Sequence, residues 1–444
     1  MWATRGITGL AGWAASLFQR IEVRGGGIPQ GPVMVVANHQ NALLDPLVVF
    51  RVAGRPTRPL AKAPLFDQRI LGTVLRGLGG LPVYRRQDNP VEMHRNDETF
   101  RAAIDALHAG DALQIFPEGR SHSEPSVEPL KTGAARIALA AEAERQGMLG
   151  LLLVPIGLTW EQKDRFQGRV LAEIGEPFPV TPWLTPEGAE DQEAVRALTD
   201  EIAKRLREVT LNLSEREDLR LITAADRIYS RAKALHEHRE RDSLADRVPR
   251  LRKFAAALQW VREREPATYR ELARQVHRID TVERALGVEE GGVPPRYPLR
   301  AVLRYTIREG AALLVGLPLA IVGSIVWYPS WVLPQWVVAW VRPEPESVAT
   351  YKLATSFFTA PATILLGAGV GYYYWGALGL VGGLVGVPTL GIAALAWRNR
   401  WGKVREDALL YLRVLTRPRL RERLAGLRDD LVQAFDGVVR RMGT

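Results

Sequence analysis

Two uncharged runs in the last third of the chain constrain its fold more than any other feature. Residues 310–341 contain no Asp, Glu, Lys or Arg, and neither do residues 353–397. A helix needs about 20 apolar residues to cross a bilayer. The second run therefore accommodates two spanning helices with a turn near residues 376–383. The first carries Pro318, Pro329 and Pro334. It is too long for one comfortable span and too short for two. A re-entrant or Pro-broken hairpin over about residues 310–341 resolves the mismatch, provided protein shields its irregular backbone. A membrane region is thus expected over 301–398.

The flanks of that region give direction. Arg398, Arg400, Lys403, Arg405, Arg413, Arg417, Arg419, Arg421 and Arg423 follow it, so residues 399–444 read as a basic cytosolic tail. The N-terminal part shares that side if the segments between cross an even number of times. Residues 1–22 hold Ile7, Leu10, Trp13, Ala14, Leu17 and Phe18 at helical spacing. This reads as a membrane-interfacial helix anchored by Trp2 and Trp13, and equally as an amphipathic helix packed on its own domain.

Between these ends lie two further regions. Over 23–213, apolar strand patterns at 32–37, 80–84, 112–116 and 151–158 alternate with helical patterns at 46–52, 92–108 and 133–146. That alternation predicts an α/β domain with a largely parallel sheet, and the near-continuous apolar strands suit a sheet covered on both faces. Residues 214–300 mix acids and bases at helical spacing and predict a charged, solvent-facing helical segment. The net charge of +10 suits anionic partners without choosing among them. The chain has no cysteine, which excludes disulfides, Cys-based metal sites and a thiol nucleophile.

The chemistry-bearing residues gather at predicted strand ends, where open α/β sheets bind ligands. Asn38-His39-Gln40-Asn41-Ala42-Leu43-Leu44-Asp45-Pro46 follows the first strand. A carboxylate reaching the His39 ring would fix its tautomer and leave the other nitrogen as a general base. Taken alone, the pair reads first as a loop histidine and an Asp45 N-cap on the helix that Pro46 begins. The second strand ends in Arg85-Arg86, suited to bidentate phosphate contacts. The third ends in Phe116-Pro117-Glu118-Gly119-Arg120-Ser121-His122, and Lys131 opens the next helix, whose N-terminus favours anions. The remaining histidines have no metal-ligand spacing, so no metal site is expected.

In this order the four blocks resemble the glycerophosphate acyltransferase superfamily: an NH–D motif, an arginine-ended strand, an FPEG motif and a VP-containing strand (Val154-Pro155). The resemblance implies a glycerophosphate-acyltransferase-like sheet with flanking helices. It makes His39 the base, Asp45 its partner, and Arg85, Glu118 and Gly119 substrate-site residues. Arg86, Arg120, Ser121 and Lys131 join them as candidates. Five residues separate His39 from Asp45, and Arg120-Ser121-His122 replaces the usual Thr after FPEG. Both features look like the fungal-type glycerol-3-phosphate/dihydroxyacetone-phosphate acyltransferase branch.

The implied reaction is acyl transfer to the sn-1 hydroxyl of a glycerol phosphate, with backbone amides near Gly119 or on a neighbouring loop holding the oxyanion. No cofactor is expected beyond an acyl-CoA or acyl-carrier-protein co-substrate. The implied partners are the glycerol phosphate acceptor, the acyl thioester donor and the lipid bilayer, with no nucleic acid. The expected location is a multi-pass membrane protein with its catalytic domain on the cytoplasmic side. Lysophosphatidate or another lysophospholipid is the alternative acceptor, and a non-catalytic phospholipid-binding protein the more distant alternative.

Overall fold

The computed structural model describes residues 2–85, 90–124, 126–161, 163, 165–213, 218–219, 221–223, 226, 243–286, 299–345 and 347–442. The described residues fall into two compact units. Residues within 1–220, 239–255 and 344–350 form the first, and those within 221–238, 256–343 and 351–444 the second.

The first unit is built on an eight-stranded sheet. Its strands are β1 (Gln19–Gly25), β2 (Val33–Ala37), β3 (Thr57–Lys62), β4 (Leu81–Val83), β5 (Ala112–Ile115), β6 (Leu152–Trp160), β7 (Gly168–Ile174) and β8 (Phe178–Pro179). The order is β1-β7-β6-β2-β5-β3-β4, with β8 beside β6. β6, β2, β5, β3 and β4 run parallel, and β7 turns antiparallel against β6. β2 is central and every residue of VMVVA is buried. The sheet is covered on both faces, which is why its strands carry no polar alternation.

One face packs α4 (Asn96–His108), α5 (Gly133–Ala143) and α6 (Gln192–Val209) through Leu107, Ile137, Leu139 and Leu198. The other packs α2 (Leu44–Ala53) through Val48 and Val49. α1 (Trp2–Phe18) lies against α2, where a Cβ on Gly12 would stand 3.1 Å from Arg51 Cα. α1 therefore has an inner face on its own domain, while Leu10, Trp13 and Leu17 stay exposed. The expected boundary at residue 22 falls inside β1, so helix and sheet belong to one unit. α3 (Arg69–Gly77) and the strands β1, β3, β7 and β8 were not separable by pattern.

The charged segment supplies α7 (Leu244–Arg264) and α8 (Pro266–Leu286), and residues 227–242 and 287–298 of it lie outside the described residues. The apolar runs become α9 (Leu299–Val341) and α10 (Val348–Thr416), both long and apolar enough to cross a membrane. α10 is two helical arms joined where Trp375 and Gly376 leave helical geometry, Gly376 at φ +59°. This is the expected turn. The arms approach closely: a Cβ on Gly371 would lie 2.2 Å from Gly379 O, so only glycine fits there.

α9 covers the expected hairpin region as one helical element. Pro318, Pro329 and Pro334 lie inside it without ending the helix. Each proline removes one helical donor, and side-chain bonds tie α9 to α10. Ser330 Oγ donates to Thr359 O at 2.9 Å and Trp327 Nε1 to Val387 O at 2.8 Å. The basic tail is helical. Residues 418–442 form α11 (Pro418–Met442), which packs on α8. Leu424, Leu431 and Val438, seven residues apart, are buried, so the arginines conceal a heptad stripe.

Candidate active site

The site forms at the C-terminal ends of β2, β4, β5 and β6. Asn38 leaves β2 and is fixed to β6 in both directions: its Nδ2 donates to Leu158 O at 3.0 Å and its Oδ1 accepts Leu158 N–H at 2.7 Å. His39 follows directly. Its Nδ1 lies 2.9 Å from Asp45 Oδ2. The ring stacks on Phe116 with centroids 4.3 Å apart and planes 22° from parallel.

Asp45 is fully buried and meets three donors. Besides the His39 ring, Asn41 N–H reaches Oδ2 at 2.6 Å and Trp160 Nε1–H reaches Oδ1 at 2.9 Å. Asp45 does not cap α2. The helix starts one residue earlier, at Leu44, and Leu43 at its N-cap contributes no side-chain hydrogen bond. The carboxylate instead turns back across the five-residue loop, which Asp45 N–H closes on Asn41 O at 3.1 Å. A carboxylate on Nδ1 selects the tautomer whose proton sits there, leaving the Nε2 lone pair for a substrate proton. His39 keeps 16 % of its side chain exposed, which is what such a role requires.

The FPEG block holds the backbone of the same histidine. Glu118 Oε1 accepts His39 N–H at 3.1 Å, and His122 N–H donates to His39 O at 3.0 Å. His122 Nε2 is hydrogen-bonded to Glu118 Oε2, and its Nδ1 accepts Glu124 N–H at 3.2 Å. Burial pushes the Glu118 carboxyl up to about 8, with the His39 N–H pulling in the opposite direction. Burial likewise lowers the His122 imidazole. Gly119 turns the chain at φ +74°, and a Cβ there would come 3.3 Å from Lys131 Cγ.

The other sequence-derived candidates are placed as follows. Arg85 Nη1 donates to Gly119 O at 3.0 Å, which ties the end of β4 to the FPEG turn. Lys131 lies along Gly119, its own N–H on Pro117 O at 2.7 Å. Ser121 is half-buried on the same loop. Arg120 is committed elsewhere: Glu128 fills its fork at 2.8 and 2.6 Å, and that pair holds Glu128 below the usual carboxylate range. A phosphate would have to displace Glu128, so the expected substrate contact of Arg120 is not made by this geometry. Arg86 lies outside the described residues. The Gly119 N–H, expected near an oxyanion, is used within the turn on Phe116 O at 3.1 Å.

Trp160 is the participant that sequence reasoning missed. Its signal was an indole ending a buried strand, since a buried indole N–H needs an acceptor. Phe116 was read as part of a motif and serves as the platform beneath His39.

The class of this α/β domain follows from comparison with known families. Residues 20–159 match the protein-family model described as Acyltransferase. The chain is similar to glycerol-3-phosphate O-acyltransferase 2 of Saccharomyces cerevisiae, 38% identical over 140 residues, covering 31% of this chain and 19% of that protein. Glycerol-3-phosphate O-acyltransferase 1 of the same yeast is 30% identical over 135 residues, covering 29% and 17%. Among solved structures, the 1-acyl-sn-glycerophosphate acyltransferase of Thermotoga maritima is 25% identical with TM-score 0.35, covering 48% of this chain and 81% of that one. Residues 20–159 thus carry an acyltransferase domain similar to those of the yeast glycerol-3-phosphate O-acyltransferases. The chain matches less than half the length of those curated relatives.

Proposed function

We propose that this protein transfers a fatty acyl group from a thioester to the sn-1 hydroxyl of glycerol 3-phosphate or dihydroxyacetone phosphate, giving lysophosphatidate or its keto counterpart. The observation that carries this reading is the His39–Asp45 pair, with Nε2 left as the accessible base beside Glu118, Gly119 and Arg85. The names of the yeast relatives support the choice of acceptor. His39 Nε2 takes the hydroxyl proton as the oxygen bonds to the thioester carbonyl carbon. The C–S bond then breaks, and the imidazolium returns the proton to the departing thiolate. Asp45 stabilises the imidazolium between those steps. Arg85 and Lys131 hold the acceptor phosphate. Transfer is direct, with acyl-CoA or acyl carrier protein as co-substrate and no further cofactor.

The purified, detergent-solubilised protein tests the acceptor. Offered palmitoyl-CoA with glycerol 3-phosphate or with lysophosphatidate in parallel, it should acylate glycerol 3-phosphate. Product from the lysophosphatidate tube alone would keep the chemistry and overturn the acceptor.

The same proposal includes a location: a multi-pass membrane protein with the catalytic unit on the cytoplasmic side. The two ends of the membrane region meet. Arg400 Nε donates to Glu309 at 2.7 Å, Tyr305 OH to Asp407 at 2.7 Å, and Arg417 Nη1 to Ala285 O at 2.5 Å. Ends that meet outside the bilayer require an even number of crossings. The α10 hairpin supplies two, with Tyr372, Tyr373, Tyr374 and Trp375 at its apex as an interfacial belt. α9 then enters and leaves on one side by bending at its prolines, since Leu313 O meets Trp397 Nε1 and the Trp331 ring meets Arg398 at the same end of the α10 hairpin.

The cysteine-free sequence makes the test direct. Single cysteines replacing exposed Glu98 and Arg419 should react with a membrane-impermeant maleimide only in inside-out vesicles, and one replacing Leu378 only in right-side-out vesicles. Opposite labelling of Glu98→Cys and Arg419→Cys would overturn the even count.

A further inference from the structure

The His122 side chain has no part in the reaction above, yet it is buried within the network that grips the base. The segment 116–122 holds His39 in three ways. Phe116 supports the ring face, Glu118 takes the peptide N–H, and the peptide N–H of His122 reaches the peptide carbonyl. Glu118 is buried and takes the His39 N–H with Oε1, and its carboxyl also accepts the Glu128 N–H. His122 Nε2 stands at Oε2. The ring proton is assigned to Nε2 by the other nitrogen, because Glu124 N–H donates to Nδ1 and only an unprotonated nitrogen accepts.

We propose that His122 is a positioning residue: its Nε2–H locks the Glu118 carboxyl onto the His39 amide and so fixes where the base stands. The inference rests on the acyl-transfer reading for its kinetic arm and on geometry for the rest. His122 itself neither touches substrate nor moves a proton in the reaction. Without its donor, the Glu118 carboxyl is held by the His39 and Glu128 amides alone and can rotate towards Glu128, which loosens the backbone anchor that complements Asp45. A displacement of the base of about 1 Å lowers turnover on the order of 10²-fold.

Two substitutions separate this role from its competitors, because each keeps one of the two ring contacts. His122→Gln places an amide N–H near the Nε2 position and preserves the contact to Glu118. His122→Asn places a carbonyl near Nδ1 and preserves the contact from Glu124. The expected result is kcat near wild type for Gln, a fall on the order of 10²-fold for Asn, and KM for palmitoyl-CoA unchanged in both. In protein carrying ¹⁵N-labelled imidazoles, the His39 ring resonances should stay in place with Gln and shift with Asn. An active Asn variant beside a crippled Gln variant would overturn the proposal and make His122 a loop-shaping residue. A dead Gln variant with unmoved His39 resonances would overturn it in favour of direct acid–base chemistry by His122. If the wild-type protein acylates neither acceptor, the acyl-transfer reading fails by itself. The imidazole resonances of the two variants then decide the positioning role independently of activity.

Discussion

Replacing His39 by alanine is expected to lower kcat by about 10³-fold or more while the protein still folds, because a positioned general base contributes about 10²–10⁴-fold. Nothing else at the site can take over. Asp45 is buried beneath the ring, and Glu118 already accepts the His39 amide, so neither carboxylate is placed to receive a hydroxyl proton at Nε2. Folding should survive, since the ring is partly exposed and Asp45 keeps its Asn41 and Trp160 donors. The check is kcat and KM for both substrates, with thermal unfolding of the variant followed in the same detergent. Near-normal turnover in a folded variant would remove the mechanism.

The second large effect is expected at Asp45. Its two oxygens accept N–H groups from His39, Asn41 and Trp160. Asparagine keeps the shape but presents an amide N–H₂ where one of these donors points. Either the His39 ring turns to its other tautomer, or a buried donor loses its acceptor at about 1–3 kcal/mol. Asp45→Asn should therefore lower kcat by roughly 10²–10³-fold, reduce thermal stability and leave KM for the acyl donor nearly unchanged. Trp160→Phe removes one donor without introducing a competing one, so it should be much the milder change. Equal losses in the two variants would mean that the carboxylate acts through packing rather than by orienting His39.

Much of the site was legible because strands and chemistry coincide in the sequence. Apolar runs at 32–37, 80–84, 112–116 and 151–158 became β2, β4, β5 and β6, and the polar strings after the first three became the loops around His39. β3 was missed because TRPLAK contains Pro59 and two cations, which disguise a strand paired on both sides. The longer spacing between His39 and Asp45 was legible, but the way it is accommodated was not. The helix start moved ahead of Asp45, and the carboxylate turned backwards onto Asn41. Trp160 lies 115 residues from its acceptor, a pairing that only β2 against β6 creates. The Arg120–Glu128 pair was hidden for a simpler reason: a phosphate and a carboxylate ask the same thing of a guanidinium. In the membrane region, charge and length identified the segments. Residue patterns did not reveal that its two ends are pinned together by Glu309 and Arg400.

The central claim is that His39 activates a glycerol-phosphate hydroxyl for attack on an acyl thioester. The most direct measurement supplies radiolabelled glycerol 3-phosphate and palmitoyl-CoA to wild-type protein and to His39→Ala side by side, with lipid-extractable label as the readout. Label entering lysophosphatidate with the wild type and staying at background with His39→Ala is the predicted result. Equal label with both proteins would contradict the account.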